Sequence, residues 1–347
     1  MALIHEVNKL PHPNVTIRDV AAHSNVSHQT VSRVINNSDR VSPETRAKVE
    51  AAIEELGYRP NFIARSIVQG RTYTLGCISP SLTDYIFAKM IDSAQIEAQR
   101  LGFFTLTGSA QTEAEVKLLL EEMLKRRIDG LLMLNPRDDA RYHHLLPLIE
   151  SNIPLTYLKN TAGDAPVSSI TCDGLEGGYQ ATKYLIGLGH TSIATILGLQ
   201  NEEDARDRLA GYRRALIEAG IQPKESLIIN GKWTSKSGLE ATKKLLATKE
   251  TFSAIFTHND RMAMGAIRAL RESNIRVPQD ISIIGFDDAP IAPYLNPPLT
   301  TMRQPIEELG QRAAQLLIKS IQYPNRAPEH VCIQSQLIER ESCASVS

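Results

Sequence analysis

No apolar run in this 347-residue chain approaches the 18 or so residues that a membrane-spanning helix needs, so no such helix is predicted. Residues 1–14 hold His5, Glu6, Asn8 and Lys9 and no apolar stretch, and do not read as a secretory signal. Cysteine is scarce. Cys77, Cys172, Cys332 and Cys343 lie far apart with no C-x-x-C spacing, which fits free buried thiols in a reducing compartment better than a disulfide framework. A cytoplasmic location is therefore expected. Charge of one sign is lacking too: 38 Lys and Arg face 39 Asp and Glu, so any nucleic-acid binding must come from a local patch. The sequence holds no G-x-G-x-x-G after a strand, no P-loop, no G-x-S-x-G and no H-E-x-x-H, and its nine histidines lack metal-ligand spacing. His143-His144 reads as a surface pair on a helix, and His190, after Gly189, as a packed turn residue. No catalysis, metal or cofactor is expected.

What is present has two grammars. At about 150 residues per domain the length predicts two to three domains, and 42% hydrophobic with 22% charged residues is ordinary for a globular chain. Residues 15–58 read as three short helices. Thr16 caps Ile17–His23, with Asp19 completing a capping-box pattern. Ser24-Asn25 is a turn, Ser27 caps Ser27–Ile35, and Asn36-Asn37-Ser38-Asp39 is a polar loop. Ser42 caps a third helix with Pro43 at its first position, and Gly57 stops it. Two capped helices joined by a few residues and followed by a third form the outline of a helix-turn-helix domain, on an expected core of Val20, Ala21, Val26, Val31, Val34, Val49 and Ile53.

From Tyr73 strand-like runs alternate with amphipathic stretches. The runs are Leu75–Ile78, Phe103–Leu106, Gly130–Leu134, Leu155–Leu158, Ser192–Leu197, Ala254–Thr257 and Ile281–Phe286. Between them lie Ala88–Arg100, Glu113–Arg127, Gly177–Leu188, Ala205–Ala219, Ser237–Leu246 and Arg261–Arg271. This alternation predicts parallel, doubly wound sheets in two α/β subdomains. Residues 1–72 carry nine basic and seven acidic side chains, and no acid lies between Arg59 and Arg71. The remainder is acidic by three.

Four blocks of the N-terminal region, Val15-Thr-Ile-Arg-Asp-Val-Ala, Val26-Ser-His-Gln-Thr-Val-Ser-Arg-Val-Ile-Asn, Val41-Ser-Pro-Glu-Thr-Arg and Leu56-Gly-Tyr-Arg-Pro-Asn-Phe-Ile-Ala-Arg-Ser, resemble the headpiece of LacI/GalR-type transcription regulators. Gly189-His190, Arg208-Leu-Ala-Gly-Tyr, Asn259-Asp-Arg-Met-Ala-Met-Gly, Ile284-Gly-Phe-Asp-Asp and Pro298-Leu-Thr-Thr-Met-Arg-Gln look like that family's core blocks in the same order, so the resemblance spans residues 15–340. It implies an all-α helix-turn-helix headpiece at 15–58 and a hinge helix at 59–72. The implied core, 73–340, is two-lobed and like periplasmic binding proteins, with doubly wound parallel sheets. Its first lobe would take about 73–172 and 305–332 and its second about 173–304 and 333–340, leaving tails at 1–14 and 341–347. It also implies a homodimer or tetramer on double-stranded operator DNA, a small-molecule effector of the sugar class, and no enzyme activity. Glu341–Ser347 is too short for a coiled coil, which favours a dimer.

A recognition helix presents its N-terminal residues to the major groove: here His28 and Gln29, with Thr30, Ser32, Arg33 and Asn36 further along, a merely solvated face being the alternative for Gln29 and Ser32. Gln bonds adenine and Arg guanine bidentately. Thr16 and Ser27 read as caps and as phosphate donors at helix N-termini. In the hinge, the resemblance places Asn61, Ala64 and Ile67 at DNA, with Ile67 as a minor-groove wedge where the family usually has leucine; a plain linker is the alternative.

Ligands of two-lobed α/β proteins sit at the carboxyl ends of strands. Asp84, Tyr85, Phe87, Lys159, Cys172, Asp204, Arg208, Asn259, Asp287 and Gln304 all follow or end apolar runs, and Trp233 stands alone in a polar turn. Arg208, Asn259, Asp287 and Gln304 offer bidentate polar groups for sugar hydroxyls; Tyr85, Phe87 and Trp233 offer flat apolar faces. The resemblance makes Arg208 and Asp287 the usual ligand-binding pair, an inter-lobe salt bridge between them being the bland alternative; for Trp233 that alternative is core packing. Lys159 and Cys172 depart from several sugar regulators. A cation at Lys159 suits an anionic effector such as a sugar phosphate, or else points to solvent. The rival classes are an α/β sugar- or nucleotide-processing enzyme and a periplasmic-type sugar-binding protein.

Overall fold

The computed structural model describes residues 15–35, 38–59, 70–135, 145, 148, 153–159, 167–248 and 250–346. Asn36, Asn61, Ala64, Ile67 and His143-His144 lie outside the described residues. The chain divides into two compact units at Thr72/Tyr73.

The first unit holds α1 (Ile17–His23), α2 (His28–Ile35) and α3 (Pro43–Glu55). Its core is Val20, Ala21, Val31, Val34, Val49 and Ala52, with Val26 and Ile53 only partly buried. The Asp19 carboxylate accepts from Thr16 N and Oγ1, both at 2.7 Å. Asn25 turns the chain between α1 and α2 in the left-handed region, which Asn tolerates better than most residues. Ser27 Oγ accepts from Thr30 N at 3.1 Å to open α2, and Ser42 does the same for α3 through Thr45 N. The Arg46 guanidinium donates to Val34 O and Ser38 O and so ties the end of α2 to α3.

The second unit is two lobes, each built on a six-stranded sheet. The first sheet runs β11-β5-β4-β3-β1-β2, all neighbours parallel. Its strands are β1 (Thr74–Ser79), β2 (Phe104–Ser109), β3 (Gly130–Leu134), β4 (Leu155–Leu158), β5 (Ser168–Cys172) and β11 (His330–Ile333). The second runs β12-β10-β9-β8-β6-β7, parallel except for β12 against β10. It comprises β6 (Ile193–Leu197), β7 (Ile228–Asn230), β8 (Ala254–Thr257), β9 (Ser282–Asp287), β10 (Thr300–Arg303) and β12 (Gln336–Ile338). The chain crosses between the lobes after β5, β10 and β11, and β11 carries the first lobe one residue past 332.

Helices cover both faces of each sheet, as buried parallel strands require. In the first lobe α4 (Tyr85–Arg100) and α10 (Ile306–Gln322) pack one face and α5 (Glu113–Lys125) the other. In the second, α6 (Gly174–Gly187) and α7 (Glu203–Glu218) cover one face, and α8 (Ser235–Ala247) and α9 (Asp260–Glu272) the other. A Cβ at Gly178 would lie 2.3 Å from Arg208 O, and one at Gly211 2.0 Å from Leu175 O. These glycines let α6 and α7 touch backbone to backbone, which sets the depth of Arg208.

Two expectations are corrected. Residues 341–346 are not a free tail: Ser342 O accepts from Ile283 N at 2.8 Å, Ser342 Oγ links Ile283 O to Thr300 N, and Val346 N donates to Leu188 O. Pairing beside β9 satisfies backbone that would otherwise sit unpaired at a buried surface. Cys332 is exposed rather than buried, because it stands on the edge strand β11; Cys77, Cys172 and Cys343 have thiols pushed up to about 12 by burial, which keeps them protonated.

Candidate functional site

In the first unit α2 presents Ser27, His28, Gln29 and Arg33 to solvent, with Thr30 and Ser32 partly covered. Val31 and Val34, on the other face, are buried. One helix therefore holds a dry stripe toward α1 and α3 and a row of hydrogen-bonding side chains away from it. Thr16 is exposed but its hydroxyl is engaged with Asp19.

In the second unit a cleft of about 870 Å³ opens between the lobes at the carboxyl ends of the strands. Asp84, Tyr85, Phe87, Lys159, Arg208, Trp233, Asn259 and Asp287 all line it. Cys172, Asp204 and Gln304 do not: Cys172 packs toward the first lobe's core, and the other two stand behind the wall as partners of residues in it. Gln111, Asn135, Glu202, Lys232, Arg261 and Ile291 also line the cleft and were not expected there. Most sit one or two residues beyond a strand or helix boundary, where only the strand count locates them.

First-lobe groups come from two places. Asp84 caps α4, accepting from Ile86 N at 3.1 Å, while its other oxygen accepts from Arg261 Nη1 of α9 at 2.9 Å. Lys159 follows β4 with a left-handed backbone, φ +82°. Its ammonium lies 5.7 Å from the Phe87 ring and donates to Asp204 of α7. Both ion pairs join the lobes.

On the far wall Arg208 is only 2% exposed. Its guanidinium stacks on Phe286 at 3.7 Å, lies 5.5 Å from the Trp233 ring and 3.6 Å from Asp204 Oδ2, and donates to His258 O. No ion pair joins it to Asp287. The bland alternative fails because both residues belong to one lobe and Asp287 has another partner, Gln304 Nε2 at 2.6 Å. Burial, partly offset by Arg208 and Lys159, raises the Asp287 carboxyl to about 6. His258 beneath is held neutral, well below its ordinary value, by burial and the Arg208 charge.

Asp287 and Asp288 adopt φ of +119° and +57°, unusual for non-glycine residues. Buried Asp260 supports that turn: Oδ2 accepts from Ala289 N at 2.7 Å and Oδ1 from Thr301 Oγ1 at 2.6 Å. Burial and the neighbouring Asp287 raise its carboxyl well above the usual range. Trp233 is also left-handed (φ +62°), and its Nε1 donates to Glu202 at 2.8 Å. A Cβ at Gly198 would fall 1.9 Å from its ring, so Gly198 is the floor on which the indole lies. Trp233 thus packs on the core at one edge and lines the cleft at the other. Asn259 uses its amide structurally, capping α9 at Met262 N and donating to Trp233 O. His190 is a packed cross-brace between Ser253 and Ser282.

Among the described residues no group of three His, Cys, Asp or Glu is arranged to hold a metal, and no helix is long and apolar enough to cross a membrane. Residues 16–61 match the model for bacterial regulatory proteins of the lacI family, and residues 182–343 that for the periplasmic binding protein-like domain. The HTH-type transcriptional regulator CelR of Thermobifida fusca is 36% identical over 334 residues, covering 94% of this chain and 98% of that protein. A solved CelR–cellobiose complex superposes with a TM-score of 0.74 at 35% identity, covering 94% of this chain and 99% of the other. The lac repressor dimer bound to operator and the anti-inducer ONPF superposes at 0.83 with 31% identity, over 95% and 99% of the two chains. These relatives are regulators, not enzymes. With a helix-turn-helix unit before a two-lobed cleft core, and near-complete coverage at this identity, the chain belongs to the LacI family of DNA-binding transcriptional regulators.

Proposed function

We propose that this chain is a cytoplasmic repressor that reads a two-fold-symmetric operator as a homodimer and is switched by an uncharged, sugar-class effector in the inter-lobe cleft. The observation that carries the effector class is the state of the cleft's charges. Lys159 is committed to Asp204 and Arg261 to Asp84, leaving stacked Arg208, hydrogen-bonded Asp287 and the aromatic faces of Phe87 and Trp233. Arg208 and Asp287 offer paired donors and acceptors for vicinal hydroxyls, and the rings offer faces for C–H groups. The bound cellobiose of the CelR complex supports the same class. A thermal-shift screen of neutral sugars, sugar phosphates, sugar acids and nucleobases tests it. A ligand at 100 times its dissociation constant stabilises by about 2.7 kcal/mol. A response confined to anionic ligands or nucleobases overturns the reading.

On the DNA side, exposed Gln29 and Arg33 supply the base contacts. Gln29→Ala and Arg33→Ala are each expected to weaken operator binding by about 1–3 kcal/mol and to leave binding to random DNA nearly unchanged. Equal losses on both DNAs, in parallel titrations at one salt concentration, would assign the pair to phosphate contact.

Asp287 sets the pH response. A carboxyl raised to about 6 is ionised at about pH 7.5 and largely protonated at about pH 5, so affinity for a hydroxyl-bearing effector falls about tenfold over that span. Stability runs the other way. A group whose pKa is higher folded than unfolded stabilises the fold below its unfolded pKa and loses that contribution as pH rises through about 6. Effector titrations beside thermal melts across this range check both signs; affinity that rises on acidification removes Asp287 from the ligand contacts.

A further inference from the structure

Lys159 of the first lobe and Arg208 of the second converge on one carboxylate, Asp204, on the first turn of α7. Asp204 lies behind the cleft wall, and its side chain is 12% exposed and that of Lys159 11%. Burial alone would raise its carboxyl, yet Lys159 and Arg208 outweigh burial and hold it below the ordinary value, so it is ionised. The two cations therefore already share an anion, although both reach the cleft surface while that anion does not.

We propose that Asp204 is a specificity-determining residue: an internal counter-anion that engages, from behind the cleft wall, the two cations a ligand phosphate or carboxylate would need, so that the cleft admits uncharged ligands and rejects anionic ones. This rests on, and deepens, the reading of the cleft as the effector site. An anionic ligand approaching Lys159 and Arg208 meets Asp204 at the same donors. It must either share them against like-charge repulsion or expel a carboxylate already paired and hydrogen-bonded in a poorly solvated place. A neutral polyol meets neither obstacle. Among the described cleft residues the remaining cations do not supply a substitute: Arg261 is paired with Asp84, and Lys232 is exposed, where a single charge binds an anion weakly. Asp287 adds negative charge to the same floor.

The test uses the full chain, inorganic phosphate as probe, and the emission of Trp233, the sole tryptophan, as readout, with ionic strength held constant by chloride. The unaltered chain is expected to give no saturable response to phosphate. D204N, which leaves Lys159 and Arg208 without their anion, is expected to gain a saturable response at least about tenfold stronger, and K159M/D204N to lose it. D204S repeats the first arm with a smaller side chain should D204N fold poorly, folding being read from thermal melts and operator binding. Saturable phosphate binding by the unaltered chain overturns the proposal, as does a folded D204N or D204S that ignores phosphate. Failure of both variants to fold overturns it as well, since Asp204 would then be a structural residue. The underlying effector reading fails separately. An unaltered chain that takes a neutral sugar beside a silent D204N loses only the counter-anion role. A D204N that gains phosphate while no neutral sugar binds the unaltered chain loses only the effector class.

Discussion

Arg208→Ala is expected to hold operator DNA as the parent does and to ignore the effector. Buried Arg208 is fixed by the Phe286 face, His258 O and the Asp204 carboxylate, so its guanidinium arrives at the cleft already oriented. Removing a buried, oriented charged donor from a ligand contact costs about 2–5 kcal/mol, roughly 30- to 4,000-fold in affinity. At the concentrations that saturate the parent, the variant's cleft stays empty. A ligand shifts a two-state equilibrium only by its differential affinity for the two states, so lost binding is lost switching. The residue makes no DNA contact of its own. The variant also has a folding cost, because Phe286 loses its stacked partner and His258 O a donor, about 1–3 kcal/mol. Lys159 remains to pair Asp204, which spares the larger penalty of a buried charge left alone. DNA titrations with and without effector, beside a thermal melt, separate the outcomes. A normal effector response removes Arg208 from the ligand site, and a chain that no longer folds makes its role structural.

Arg208 also shows where sequence reading stops. Its place on an amphipathic helix after an apolar run is visible in spacing, and so are seven strands in which apolar residues dominate. Two of the strands that escape are those in which polar residues make up most of what is buried. In β5, Ser168 and Ser169 are buried, with Ser169 bonded to His330; in β10, Thr300 and Thr301 are wholly buried, with Thr301 bonded to Asp260. A hydroxyl satisfied by a partner far along the chain looks like a turn residue to a composition window. Edge strands β7 and β12 escape for want of length, and β11 because exposed His330 and Cys332 alternate with its apolar residues. Helix α10 carries a clear three- and four-residue pattern in Leu309, Ala313, Leu316, Leu317 and Ile321, but it lies beyond the last strand-like run, where no alternation frames it. At the site the individual candidates were legible, since strand ends must be followed by something that faces the cleft. Their pairings were not. Lys159 with Asp204 and Asp84 with Arg261 span separations of 45 and 177 residues, and only the folded lobes bring them together. Hence Lys159, which alone suggests an anionic ligand, takes the opposite meaning once its partner is known.

Deleting residues 1–72 is expected to abolish DNA binding at every salt concentration and to leave effector affinity within about twofold of the parent. The residues facing solvent on α2 go with the deletion, and what remains is acidic by three, so no electrostatic attraction to phosphate replaces them. Among the described residues, every one lining the cleft lies at or beyond Pro80. The two sheets and their four core clusters are drawn entirely from the second unit. The headpiece core, by contrast, is six small or medium side chains, Val20, Ala21, Val31, Val34, Val49 and Ala52, too little apolar area to be a necessary support for a unit several times its size. The cut at Tyr73 falls one residue before β1, whose first pairing is Thr74 with Phe104, so no ladder is broken. Tyr73 itself packs against Phe103 in a tilted pair, ring centroids 5.3 Å apart, and should be kept, since starting the chain at Thr74 would expose that ring. An effector titration on Trp233 emission and an operator-binding assay test the two parts, on a truncated chain shown to be folded and unaggregated by size-exclusion chromatography. Residual operator binding would place DNA contacts on the core, and an effector affinity lowered more than tenfold would mean that the headpiece helps to hold the cleft.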